Sequence, residues 1–430
     1  MVDNTSKKRR PRDWYAGGLA HIWRPYAQMK TASPPLLVKR TQGSRLELAD
    51  GRVLIDGVAS WWTACHGYNH PHIRQAVERQ LAEMPHVMFG GLVHEPALRL
   101  AQRLTALLPG DLTRVFFSDS GSVAVEVAMK MAVQSWINRG QRGRTQFVAF
   151  KGGYHGDTTG TMAVSDPEEG MHMLFAGLLP EHLIVNLPTD DAKTAALDAL
   201  LAQRAREIAG IIVEPLVQGA GGMIFHDPSV LRRLRGLADK YDVLLIFDEI
   251  FTGLGRTGAL FACEGAGVAP DILTLSKALT GGTLPLAATV ASGKVFDAFW
   301  SDDPGKALMH GPTFMANALA CAAANASLDL FEKEPRLQQV SGVAAQLDDG
   351  LAPCRGFAHV MDVRVMGAIG VVELARIGQA DDLRARFIEE GVFVRPIGNV
   401  VYLTPAFTIA PDELKSLTDA VVRVIRSLRP

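Results

Sequence analysis

The chain has 430 residues, 48% of them hydrophobic and 21% charged, a globular balance that excludes a disordered chain and suffices for two or three domains with a buried core. Its 44 basic and 45 acidic residues leave a formal net charge of −1, so there is no overall attraction to nucleic acid or anionic membrane, and small anionic ligands must be held locally. Four cysteines, Cys65, Cys263, Cys321 and Cys354, are too scattered for a zinc cage or a disulfide framework and suit a reduced, cytoplasmic setting.

Taken in chain order, the first segment is basic at residues 7–10, but no apolar stretch follows. It reads as a solvated tail rather than a secretory signal or a nucleic-acid arm. No apolar run reaches membrane-spanning length. Up to about Asp56, turns rich in Pro and Gly separate short strand candidates. Tyr26, Trp61 and Trp62 are aromatic anchors here, with core packing as their default role. His66, His70 and His72 cluster in HGYNHPH, but Asn-His-Pro makes a turn and no acid stands at a metal-helix spacing, so a structural turn is expected.

The middle of the chain alternates apolar runs with helical stretches. Strand candidates are 114–118 (RVFFS), 146–150 (QFVAF), 210–214 (GIIVE), 243–248 (VLLIFD), 271–275 (DILTL) and 286–291 (LAATVA). They are continuous and rich in β-branched residues, the pattern of strands covered on both faces. Helix-like segments such as 122–139 and 228–241 lie between them, and this alternation predicts a largely parallel α/β sheet flanked by helices. A helical region follows Ala322. From Val363, strands over 363–374, 391–396 and 400–405 lead to a last amphipathic helix, 411–428. The expected division is an N-terminal segment of a small α+β domain over 1–55, a large domain over 56–325, and the rest of the small domain over 326–430.

In a parallel α/β sheet, ligands gather beyond the carboxyl ends of the strands. RVFFS runs into Asp119-Ser-Gly-Ser122 and a helix start, where free N–H groups and the helix dipole favour a phosphate; alone, this is equally a capped helix. VLLIFD ends in Asp248, and one strand–helix unit later DILTLS is followed by Lys277. That spacing puts an acid and an amine at two strand ends facing one crevice. A desolvated lysine has a lowered pKa and becomes a usable nucleophile, while an aspartate can keep a pyridine nitrogen protonated. The ordinary alternatives are a surface lysine and a salt-bridged or capping acid. Tyr154, in a Gly-rich loop after another strand, suits stacking on a flat ring or merely closing a core edge. Thr313, in His310-Gly-Pro-Thr313, offers a hydroxyl toward a phosphate. Arg395 can grip a carboxylate bidentately or form a surface salt bridge. The GAGG run, 219–222, lacks the spacing of a dinucleotide fingerprint.

These residues together carry a resemblance. VLLIFDEIFTGLGRTG with DILTLSKALTGG resembles the signature of class III aminotransferases of pyridoxal-phosphate fold type I. SWWTACHGYNHP, HVMFGGLVHEP, SDSGSVAVEVAMKMA, GGYHGDT, EPLVQGAGGM, HGPTFMANALACAAANASL and VRVMGAIGVVE are similar to the biotin-synthesis branch of that family. In that branch S-adenosylmethionine donates an amino group to 8-amino-7-oxononanoate. The likeness runs from about His21 to Ile409. It implies pyridoxal 5′-phosphate as cofactor and a homodimer with a shared site. Position by position it implies Lys277 as the catalytic, cofactor-binding lysine and Asp248 on the ring nitrogen. Gly121 and Ser122 would hold the phosphate, joined by Pro312 and Thr313 from the partner subunit. Tyr154 would stack on the ring, Trp61, Trp62, Gly311 and Arg395 would shape the substrate pocket with Arg395 on the keto acid carboxylate, and Tyr26 would meet both substrates.

The chain departs from the family pattern at Phe251 (Ala expected), Leu254 (Phe expected), Ser276 (Gly expected) and Pro405-Ala406-Phe407 (Pro-Pro-Tyr expected). Tyr402 is kept. Rival expectations are an ω-amino acid or ornithine-type aminotransferase, the same reaction with lysine as donor, and a non-catalytic binding module. The joint presence of Lys277 and Asp248 counts against the last.

Overall fold

The computed structural model describes residues 11–168, 172–175, 177–378 and 380–428; the basic run at 7–10 lies outside them. The chain divides into two compact units, Met1–Leu37 and Val38–Pro430. In the first, helix Pro11–Leu19 is followed by turns. The Tyr15 hydroxyl donates to the Pro35 carbonyl at 2.7 Å and the Arg24 guanidinium to the Ser33 carbonyl at 2.7 Å. Tyr26 belongs to this unit, is about half exposed, and has φ 50°.

The second unit is built on a seven-stranded sheet. Its strands are β1 (Leu112–Ser118), β2 (Gln146–Phe150), β3 (Leu183–Val185), β4 (Ile208–Val213), β5 (Leu244–Asp248), β6 (Ile272–Leu275) and β7 (Ala287–Ser292), in the order β1-β7-β6-β5-β4-β2-β3. All neighbours pair in parallel except β7, which runs antiparallel to both β6 and β1. The continuous apolar runs are explained by burial on two sides. Leu244 and Ile246 of β5 share a core with Val125, Ala128 and Ala132 of helix α1 (Gly121–Asn138). Leu245 and Phe247 share another with Leu231 and Leu234 of helix α2 (Pro228–Tyr241). Each strand thus feeds alternate side chains to opposite helical layers. The three-residue edge strand β3 was not expected, being too short to carry a pattern.

Smaller sheets adjoin this core. Val38–Gln42, Arg45–Leu48 and Val53–Asp56 form an antiparallel set, and Val53–Asp56 also pairs in parallel with Val392–Phe393 from the far end of the chain. Val360–Met366, Ile369–Leu374 and Val400–Leu403 form a second antiparallel sheet. The expected strand over 363–374 is therefore two strands of a hairpin. It folds at Gly367, whose φ is 53° and where a Cβ would stand 2.4 Å from the Thr257 carbonyl carbon. The helix expected after Ala322 begins earlier, at Ala318, because the Asn317 side chain accepts from Ala320 N and caps it. The histidine cluster closes a turn: His70 caps helix Pro71–Glu83, and His66 lies between Ser327 and Arg336.

Candidate active site

The carboxyl ends of β1, β2, β4, β5 and β6 converge, and each hands a polar residue to one cavity of about 200 Å³. Its walls include Gly121 and Ser122 after β1, Tyr154 and His155 after β2, Glu214 after β4, Asp248 ending β5 and Lys277 after β6, with Trp62 and Phe251 closing the apolar side.

Lys277 sits at the start of a single 3-10 turn, Lys277–Thr280, with φ 45°, a left-handed conformation costly for a lysine and held here by tertiary packing. Its ammonium nitrogen lies 4.8 Å from the centre of the Trp62 ring. Burial pushes its pKa below the ordinary lysine value, and the negative charges of Asp248 and Glu214 only partly oppose this. Asp248 is buried and accepts from Ile250 N at 3.1 Å, from the Thr274 hydroxyl at 3.2 Å and from His155 Nδ1 at 2.7 Å. Burial works against a charged His155, but the hydrogen bond to Asp248 and the charges of Asp248 and Glu214 prevail and raise its pKa. Three donors leave this carboxylate room for one more, so it is held in place with an acceptor position open. Glu214 accepts from Tyr154 N at 3.0 Å and Gly219 N at 2.9 Å; burial pushes its pKa up to about 7.

At the opposite wall, Ser120 caps α1 through Val123 N, leaving the first helical N–H groups at Gly121 and Ser122 turned to the cavity rim. The loop after β2 comes so near that a Cβ on Gly156 would stand 2.1 Å from Ser122 Oγ. Only glycine allows that approach.

The tryptophan pair sits on a turn of unusual hand. Ala59, Ser60, Trp61 and Trp62 have φ of 44°, 49°, 52° and 73°. Left-handed helical backbone costs about 1–2 kcal/mol at each such residue. The turn sends the two rings to different places. The Trp62 ring centroid is 4.3 Å from that of Phe251 and 6.2 Å from that of buried Tyr402. Trp61 lies beneath Arg395, whose guanidinium carbon is 5.1 Å from the ring centre.

The structure therefore brings Gly121, Ser122, Tyr154, Asp248, Lys277 and Trp62 into one cavity, and sets Trp61 against Arg395. Gly311, Pro312 and Thr313 are not among the residues lining this cavity; Gly311 and Thr313 are exposed. His155 and Glu214 had no role in the sequence reading, although His155 adjoins Tyr154 and Glu214 ends the expected strand 210–214. Phe251, seen only as a departure, fills the gap between Trp62 and Gly219, where a Cβ would meet its ring at 2.7 Å. Ser276 donates to the Leu286 carbonyl at 2.9 Å, tying the lysine turn to the start of β7.

A buried amine with lowered pKa, a fixed carboxylate across from it and a helix N-terminus beside a glycine cradle define a pyridoxal-phosphate-dependent aminotransferase of α/β fold type I, and the chain belongs to the class-III aminotransferase family, whose profile matches residues 26–425. Within it, the chain is 45% identical over 414 residues to the adenosylmethionine-8-amino-7-oxononanoate aminotransferase of Mycobacterium leprae, covering 94% of this chain and 95% of that one. It is 43% identical over 408 residues to the enzyme of the same name from Buchnera aphidicola of Acyrthosiphon pisum, covering 93% and 95%. Among solved structures it matches the enzyme of that name from Methanocaldococcus jannaschii with a TM-score of 0.93 and 33% identity over 97% of this chain and 99% of that one. An amine transaminase from an uncultivated Pseudomonas species, solved with pyridoxal phosphate bound, matches with a TM-score of 0.87 and 34% identity over 94% and 98%.

Proposed function

We propose that this enzyme moves the amino group of S-adenosylmethionine to 8-amino-7-oxononanoate, giving 7,8-diaminononanoate by a ping-pong mechanism with pyridoxal 5′-phosphate. The observation that carries this reading is the shared name of relatives 42–45% identical across more than nine-tenths of this chain. The residues that chemistry needs fit the cofactor. Asp248 has one acceptor position to spare, and Gly156 lets the loop after β2 close on Ser122 at the start of α1.

The expected holding set is Gly121 and Ser122 for the phosphate, Asp248 for the ring nitrogen, Tyr154 for the ring face and Lys277 for the covalent link. When bound, pyridoxal phosphate supplies an electron sink for the carbanion formed at the substrate carbon. Asp248, oriented by His155, keeps the proton on the ring nitrogen. Lys277, whose pKa burial lowers, would take a proton from the donor Cα and return it during transfer. Arg395 accepts the keto acid carboxylate, and the flat surface of Trp61 beneath it suits both a methylene chain and a nucleoside. Tyr26 is proposed to meet both substrates.

A second copy of the chain is expected to contribute Gly311, Pro312 and Thr313. Supporting this, Met309 is 78% and Phe314 54% exposed, and Phe314 packs on His86. The domain division is taken as 1–55 with 326–430, and 56–325, supported by the pairing of Val53–Asp56 with Val392–Phe393. A cytoplasmic setting is supported by four cysteines that are all free and buried. Among the described residues, no helix is long and apolar enough to cross a membrane.

The test is a single half-reaction followed by absorbance. Cofactor-loaded protein is mixed with S-adenosylmethionine alone, and separately with lysine. Conversion of the yellow band by S-adenosylmethionine is the expected result. Conversion by lysine only changes the donor, and conversion by neither, with turnover of an ω-amino acid, overturns the reading.

A further inference from the structure

We propose that Asp56 is a positioning residue for the two tryptophans: with Tyr68 it clamps the left-handed turn 59–62, and the clamp is what aims Trp62 at Lys277 and Trp61 at Arg395.

Asp56 is 2% exposed and ends the strand Val53–Asp56. One carboxylate oxygen accepts from Val58 N at 2.8 Å; the other accepts from Ser60 N at 3.1 Å and from the Tyr68 hydroxyl at 2.5 Å. Because the single Tyr68 proton is given to Asp56, the Ser60 hydroxyl donates to Tyr68. Two backbone N–H groups and the hydroxyls of Tyr68 and, through it, Ser60 are thus tied to one buried carboxyl group. Four consecutive non-glycine residues do not hold positive φ unaided. Adjacent residues of this turn then diverge, Trp62 toward Lys277 and Phe251, Trp61 toward Arg395.

Two further contacts fix the clamp to the machinery. Val392–Phe393 pairs with Ile55–Asp56, and Gly57 N donates to the Phe393 carbonyl at 2.9 Å, so one register delivers both the clamp and, two residues on, Arg395. The exit of the turn abuts the lysine segment: a Cβ on Gly282 would stand 2.9 Å from Ala64 N.

The inference rests on the proposed function only for the choice of substrate. Asp56→Asn keeps the shape but turns a donor toward donors. In it, the peptide spanning 57–65 should exchange its amide hydrogens faster in the ligand-free protein while the main sheet stays protected, and the KM for 8-amino-7-oxononanoate should rise about tenfold or more with the kcat changing less. Ser60→Gly in the Asp56→Asn background should recover part of both losses, because glycine takes φ 49° without a clamp at one of the four strained positions. A purely structural aspartate would not be rescued by glycine at a neighbouring position. Unchanged local exchange, uniform loss of protection, an unchanged acceptor KM in a loosened turn, or absence of rescue each overturn the proposal. If Asp56→Asn does not fold, Tyr68→Phe removes one donor and keeps the carboxyl group; it should loosen the same peptide to a smaller extent and be rescued in the same way, and failure on either point overturns the proposal. Wild-type protein that does not aminate 8-amino-7-oxononanoate sinks the function reading, while the exchange measurement, which needs no substrate, still decides the clamp.

Discussion

Lys277 carries a cost that its chemistry requires. Its folded-state pKa lies below the ordinary 10.5, so between the two values the unfolded chain holds the extra proton. Stability therefore rises with pH through that window, and below it the cost of burying the cation is fully present. Lys277→Met should stabilise the cofactor-free protein at neutral pH, with an advantage that shrinks as the pH climbs toward 10.5; denaturant melts at several pH values would measure it. Lys277→Ala should cut turnover by at least about 10²–10⁴-fold, the contribution of a positioned proton carrier, as read by steady-state assay. Arg395→Ala should raise the KM for the keto acid by roughly 10- to 100-fold, the loss of a charged hydrogen bond of about 1.5–3 kcal/mol, with a smaller effect on the donor. An equal effect on both substrates would remove Arg395 from its assigned role.

At the scale of elements, the site depends on where strands stop and helices start. Gly156→Ala would drive a methyl into Ser122 and spread the loop after β2 away from the start of α1. Cofactor affinity should fall about tenfold or more, measured by reconstitution of the cofactor-free variant, with little change in far-ultraviolet dichroism. Much of this level was legible beforehand. Apolar runs such as VLLIFD and DILTL mark strands buried on both faces, and the polar residues that end them are the ones that meet. What could not be read is two-body or conformational. The left-handed turn at 59–62 is invisible in Ser-Trp-Trp, since no glycine announces it and its cause, Asp56 with Tyr68, arises only once the strand is placed. His155 gains its role from Asp248, 93 residues on. The hairpin at Gly367 escaped because a single glycine in an apolar run fits a strand as readily as a turn.

At the scale of the molecule, the exposed apolar side chains around Met309 and Phe314 make assembly testable. On the proposed dimer, Phe314→Asp places a charge on that face and should yield monomer in sedimentation, with activity lost in parallel. A monomer that keeps full turnover would refute the shared site. The reversed strand β7 bears on how the protein comes to exist at all. Among the described residues β1 pairs in the sheet only with β7, Ser118 opposite Ala287, so the strand that leads into the proposed phosphate site waits for a partner encoded far downstream. At about 5–20 residues per second, a ribosome needs on the order of ten seconds to make the stretch between them. Until β7 emerges β1 lacks that partner, so a chaperone that shields the nascent chain should raise the yield of folded enzyme, as expression with and without added chaperone would measure.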